Sequence, residues 1–338
     1  VRLFSLTFAV LLAALILSVV LGAVWISPVS VLQIITDALP GVELSEVWSA
    51  AHAAIVLDIR LPHAILIALT GAALAGSGAA YQGLFRNPLA DPYLIGVASG
   101  AGLGAVAAMA IHWPTELWNL YLIPAAAFLG AMLTIWLVYQ LAKVRNIVPL
   151  TTLILAGVAV GSFASALTSF LMLRSDAQIY RAISFLLGGS PLTGWDPVLA
   201  VLPYVILGLG SLIFFGHPLN VLQFGEEQAK QMGVSVERVK IYVIVIASLT
   251  TAAAVAFSGV IGFVGLIVPH LFRLLGGPDY RKLIPLSIIG GAAALLLADM
   301  LARVLLAPSS LPVGIVTALA GAPFFLWILR RAKREVFW

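Results

Sequence analysis

Residues 62–83 read PHAILIALTGAALAGSGAAYQG, a stretch without a single Asp, Glu, Lys or Arg. A run of about 20 apolar residues, wound as a helix, crosses the ~30 Å of hydrocarbon in a bilayer while satisfying its own backbone hydrogen bonds. Pro62 suits a first helical turn, where its missing N–H has no partner to lose. The stretch is therefore predicted to be a membrane span. Its glycines and alanines let neighbouring helix backbones approach closely, which is how helices pack in lipid without a hydrophobic driving force. Continuous apolar runs of this kind do not alternate, and that excludes a β-barrel.

Working outward, similar runs recur. On the N-terminal side, residues 3–26 form a span behind Arg2; the run is too long for a signal peptide and no small-x-small cleavage site follows at the right place. Residues 28–58, with Asp37, Glu43, Glu46 and Asp58, read as a loop with one or two amphipathic pieces. On the C-terminal side, a polar break at 85–92 precedes spans at about 94–112, 121–141, 148–173, 197–216, 241–257, 259–277, 283–306 and 311–329. An apolar patch at 182–187 is too short to cross. The expectation is an all-α, polytopic integral membrane protein of about ten transmembrane helices, forming one domain over residues 1–338.

Composition agrees: of 338 residues, 62% are hydrophobic and 9% charged, against about a quarter charged in soluble domains. The absence of cysteine removes disulfides, thiolate metal sites and cysteine nucleophiles. His52, His63, His112, His217 and His270 are scattered without the i, i+4 pairing of a helical zinc site, so no metal site is expected.

Ten spans put both termini on one side. If that side is the cytoplasm, only Arg60, Arg174, Arg181 and Arg303 of the 18 basic residues lie outside, as the positive-inside rule requires. The net charge of +4 is thereby a topology signal, and nucleic-acid binding is not needed to explain it.

Against this background residues 224–233, FGEEQAKQMG, form the most polar island. They read as a short cytoplasmic helix at about 224–234, with Glu226 and Glu227 near its positive end and Gly233 as a left-handed stop. No phosphate-binding G-x-x-x-x-G-K-[ST] loop is present, so the chain is not expected to hydrolyse ATP. Asp299 and Arg303 share a helical face and can neutralise each other, either as a structural pair or as a functional one. Ion-coupled transporters usually place a charged cluster near the midplane, and none is evident. Energy for transport is expected from outside the chain; a self-sufficient ion-coupled secondary transporter and a non-transporting membrane scaffold are the alternatives.

Several motifs in order carry a resemblance: Arg60-Leu-Pro62, the glycine-rich run 71–76, QGLFRNPLADP at 82–92, GVASG at 96–100, LAGV at 155–158, GVIGFVGLIVPHLFR at 259–273, LPVG at 311–314 and GAP at 321–323. Together they resemble the permeases of type II ABC importers for iron-siderophore complexes, haem and cobalamin.

The resemblance implies a multi-pass inner-membrane homodimer working by alternating access, with its translocation path at the dimer axis. It also implies two ATP-binding cassette subunits beneath, carrying ATP and magnesium, and a periplasmic or lipid-anchored substrate-binding protein above. No cofactor is implied in the chain itself. Gly225, Glu226, Glu227, Ala229 and Gly233 match the coupling helix that meets the ATPase. Arg60 and Arg303 match the outer basic residues that dock the binding protein; the family often has a further Arg where this chain has His63, and often Glu where it has Ser310. Asn87 and Leu89 match one segment of the cytoplasmic gate and Thr151 the other, with Pro88 and Pro92 keeping the first out of helix.

Overall fold

The polar breaks of the sequence become helix ends. The computed structural model describes residues 2–22, 24–38, 48–111, 116–145, 147–174, 179–189, 192–305 and 309–336. Every regular element among them is helical. In chain order these are α1 (Arg2–Val20), α2 (Pro28–Asp37), α3 (Ala50–Ala54), a π-helical turn (Ile55–Arg60), α4 (Leu61–Phe85), a 3-10 turn (Pro92–Ile95), α5 (Val97–Ala110), α6 (Glu116–Ala142), α7 (Leu150–Leu173) and α8 (Ile179–Leu186). They continue as α9 (Trp195–Phe214), α10 (Gly216–Leu222), α11 (Glu226–Gln231), α12 (Val236–Ser258), α13 (Val264–Gly276), α14 (Tyr280–Leu305) and α15 (Val313–Val336).

Seven segments are long and apolar enough to cross a membrane, and α5, α13 and Val313–Trp327 of α15 are shorter apolar helices. These ten coincide with the ten predicted spans, and the chain is a multi-pass membrane protein. In the region read as a loop with amphipathic pieces, α2 is such a piece: Ser27 caps it by accepting from the Ser30 N–H, and Val31 and Ile34 face inward.

Several boundaries differ from the sequence expectation, among them the end of α1 at Val20 and the start of α13 at Val264, and two of the differences have a clear cause. The second span does not begin at Pro62, because helix runs unbroken from Ala50 to Phe85 through the π-helical turn. A proline ring inside an α-helix collides with the carbonyl four residues back. The wider π register, in which the Leu61 N–H reaches Val56, relieves that collision without ending the helix. Helix α12 begins at Val236, ahead of the expected start at 241, since the charge of Lys240 is neutralised in place by Glu226 and Glu237.

At the centre stands α4, buried without interruption from Thr70 to Leu84 and surrounded by α14, α12, α13 and α9. A second group, α5 with α6 and α7, joins this core through α12, and α1 lies against α14. The α4–α14 crossing is a backbone-to-backbone contact: a Cβ on Gly71 would fall on the Gly291 carbonyl oxygen, and one on Gly291 on that of Gly71. By contrast α7 turns Leu155, Phe163 and Phe170 outward.

Candidate functional site

The polar island contains the short helix α11, Glu226–Gln231. Gly225, at φ +113°, turns the chain into α11, and Gly233, at φ +87°, ends it. The stop is a Schellman motif, since the Val234 N–H donates to the Ala229 carbonyl at 3.0 Å. Ala229 is fully buried and seats the helix on the body of the protein. The opposite face, with Glu227, Gln228, Lys230 and Gln231, is exposed, and the exposed apolar side chains of Phe224 and Met232 flank it.

Two residues outside the motif anchor this helix. Glu226 lies 2.7 Å from Lys240 Nζ, and Lys240 is itself 3.1 Å from Glu237. Just before α11, Gln223 Nε2 donates to the Gly83 carbonyl at 2.9 Å, in the last turn of α4. Sequence reasoning passed over both; Glu237 and Lys240 do stand at the i, i+3 spacing that could have drawn attention to them.

The segment holding Asn87 and Leu89 leaves α4 through Arg86, a left-handed residue at φ +51°. Its turn is held from inside: the Asn87 side chain accepts from the Leu89 N–H at 2.9 Å, and Asp91 accepts from the Tyr93 N–H at 2.8 Å. Tyr93 in turn bonds both the carbonyl and the N–H of Ile261. Loss of water around Asp91 pushes its carboxyl up to about 6, opposed by the Tyr93 N–H. The following 3-10 turn packs on α7, where a Cβ on Gly157 would fall on the Leu94 carbonyl oxygen. Thr151 is exposed in the first turn of α7.

Arg60 and Arg303 meet at the other end of the bundle, around the C-terminus of α1. Arg60 is only 7% exposed and donates to the carbonyls of Val19, Val20 and Val24. Arg303 donates to the Ser18 carbonyl and hydroxyl and to the Leu21 carbonyl, while its Nε lies 2.9 Å from Asp299. The last carbonyls of a helix lack intrahelical partners and carry partial negative charge, so two guanidinium groups are well placed there. His63 completes the cluster, with Nε2 3.0 Å from the second Asp299 oxygen. A cavity of about 140 Å³ lies beside it, lined by His63, Asp299, Arg303 and Ser310 among others.

Comparison with known proteins agrees with this architecture. The FecCD transport family matches residues 10–331. The cobalamin import system permease protein BtuC of Halobacterium salinarum is 47% identical over 282 residues, 83% of this chain and 74% of that protein. The hemin transport system permease protein HmuU of Yersinia pestis is 41% identical, over 82% of this chain and 84% of its own. Among solved structures, an inward-facing ABC transporter described as of metal-chelate type superposes with a TM-score of 0.82 at 30% identity, covering 98% of this chain and 99% of that one. From the ordered motifs, the helical bundle and these relatives, the chain belongs to the FecCD transport family.

Proposed function

We propose that this chain is the permease subunit of an ATP-driven importer that carries an iron-siderophore complex, haem or cobalamin across the bacterial inner membrane. The observation that carries the reading is the agreement in fold along nearly the whole chain with a solved ABC transporter. Residues 1–338 act as one permease domain, and two copies enclose the path at their shared axis. ATP and magnesium are bound and hydrolysed by two separate cassette subunits. A periplasmic or lipid-anchored binding protein delivers the substrate.

In this reading α11 is the coupling helix. A short helix seated on the bundle by Ala229, with a charged face and exposed Phe224 and Met232 at its edges, suits a cleft in the ATPase. Closure of that cleft then moves it as a rigid body. Asn87 and Leu89 on one side and Thr151 on the other close the cytoplasmic end of the path. Arg303 presents positive charge to acidic residues of the binding protein; Arg60, buried behind it, contributes to the same field and fixes the end of α1.

Reconstitution in liposomes tests the proposal. With cassette subunits and binding protein present, uptake of cobalamin, haem or a ferric siderophore is expected to require ATP. Uptake driven by a proton or sodium gradient without the cassette subunits would establish a secondary transporter instead, and no uptake of any of the three would favour a scaffold.

A further inference from the structure

Lys240 is an ammonium group almost sealed from water, with its side chain 2% exposed. It stands in the first turns of α12, at the junction of three elements. Its Nζ is 2.7 Å from Glu226 Oε2 in α11 and 3.1 Å from Glu237 Oε1 on its own helix. The remaining oxygen of Glu237 reaches a third element, accepting the backbone N–H of Val148 at 3.3 Å. Val148 is buried and lies immediately before Pro149, the cap of α7. A line of polar contacts, none longer than 3.3 Å, thus runs from α11 through Lys240 and Glu237 to the backbone that leads into Thr151.

The burial of Lys240 gives this line its stiffness. Exposed ion pairs contribute little and break readily. Separating a buried ammonium from its partners leaves an uncompensated charge in low dielectric, which is strongly unfavourable. If α11 moved away from α12, Lys240 would keep one carboxylate in place of two; if α12 moved away from the 147–149 turn, the Val148 N–H would lose its acceptor. The low-energy response to a push on α11 is therefore joint displacement of α11, the start of α12 and the head of α7.

We propose that Lys240, with Glu237, is the positioning residue that transmits movement of α11 to the head of α7. The inference rests on the reading of α11 as the helix that meets the ATPase. Among the described residues, the Glu237–Val148 hydrogen bond is the side-chain link from α12 to the turn before α7.

Hydrogen–deuterium exchange on the complete transporter, isolated through a tag on this chain, tests it. Exchange is followed in peptides covering 224–234 and 147–153, with and without trapped ATP. In the parent, ATP binding is expected to change exchange in both peptides. In Lys240→Met the response at 224–234 persists while that at 147–153 falls to less than half. Without ATP, the Val148 amide exchanges roughly 2–10-fold faster, the range to which the net worth of one hydrogen bond converts. Glu237→Gln, which keeps an acceptor and serves if Lys240→Met assembles poorly, shifts both readouts in the same direction and less far. A response at 147–153 in both variants as large as in the parent overturns the relay alone. No response at 224–234 in the parent overturns the reading of α11, and the relay with it.

Discussion

Arg60 Nη1 donates to the Val20 carbonyl at 2.9 Å, and that bond fastens the end of the first span to the start of the second. A residue matched by its motif to the docking of another protein is thus bound first to its own chain. Replacing Arg60 by Gln is expected to lower stability by about 1.5–3 kcal/mol, the range for hydrogen bonds from a charged donor. The check is thermal unfolding in detergent. Charge reversal at this position is unsuitable for testing docking, since a carboxylate facing the same carbonyls would disrupt α1 whatever the binding protein does.

Arg303 offers the cleaner test of docking because its side chain is 20% exposed. Arg303→Gln removes the charge and keeps an amide donor at the level of Nε, beside Asp299. Affinity for the binding protein is expected to drop severalfold at low salt and to converge with the parent at high salt, since exposed charges are screened over ~8 Å at physiological ionic strength. Equal affinity at every salt concentration would leave Arg303 only the role of holding Asp299 and the end of α1.

The spans and the polar helix were legible because each depends on local pattern. A run without charges is long enough to cross or it is not, and FGEEQAKQMG carries its own stop at Gly233. What stayed hidden depends on pairing across the chain. Nothing near Arg60 announces carbonyls 36 to 41 residues away, and nothing near His63 announces Asp299, 236 residues on. Lys240 falls just outside the span expected from 241 for a related reason: a lysine beside a polar stretch reads as its exposed end, and only the arrival of Glu226 from α11 makes its burial tolerable.

Gly233 and Glu227 separate the shape of α11 from its contacts. An alanine at Gly233 must adopt φ near +87°, a strain of about 1 kcal/mol that frays the last turn of α11. Glu227 is exposed, so Glu227→Ala leaves the fold unchanged. Both variants are expected to lower stimulation of ATP hydrolysis by substrate-loaded binding protein while that protein still docks. ATPase assays with parallel docking measurements decide this, and stimulation equal to the parent's in both variants removes the coupling role from α11.

Asp91 gives the turn between Asn87 and Tyr93 a pH signature. Its carboxyl is pushed up to about 6 by loss of water, from an ordinary value of 3.8. Between those pH values the folded protein keeps a proton that the unfolded chain has released, so stability is expected to fall as pH rises through about 4 to 6 and to level off above. Asp91→Asn retains an oxygen for the Tyr93 N–H and has no charge to bury. It should remove that part of the slope and raise stability at neutral pH by about 1–3 kcal/mol, the lower part of this range reflecting the water the side chain still touches. Unfolding curves of parent and variant across this window make the comparison. If the parent instead gains stability relative to Asp91→Asn as pH rises, the carboxylate is favoured in its charged form, and the rigidity of the Asn87–Tyr93 turn would then come from an ionised cap.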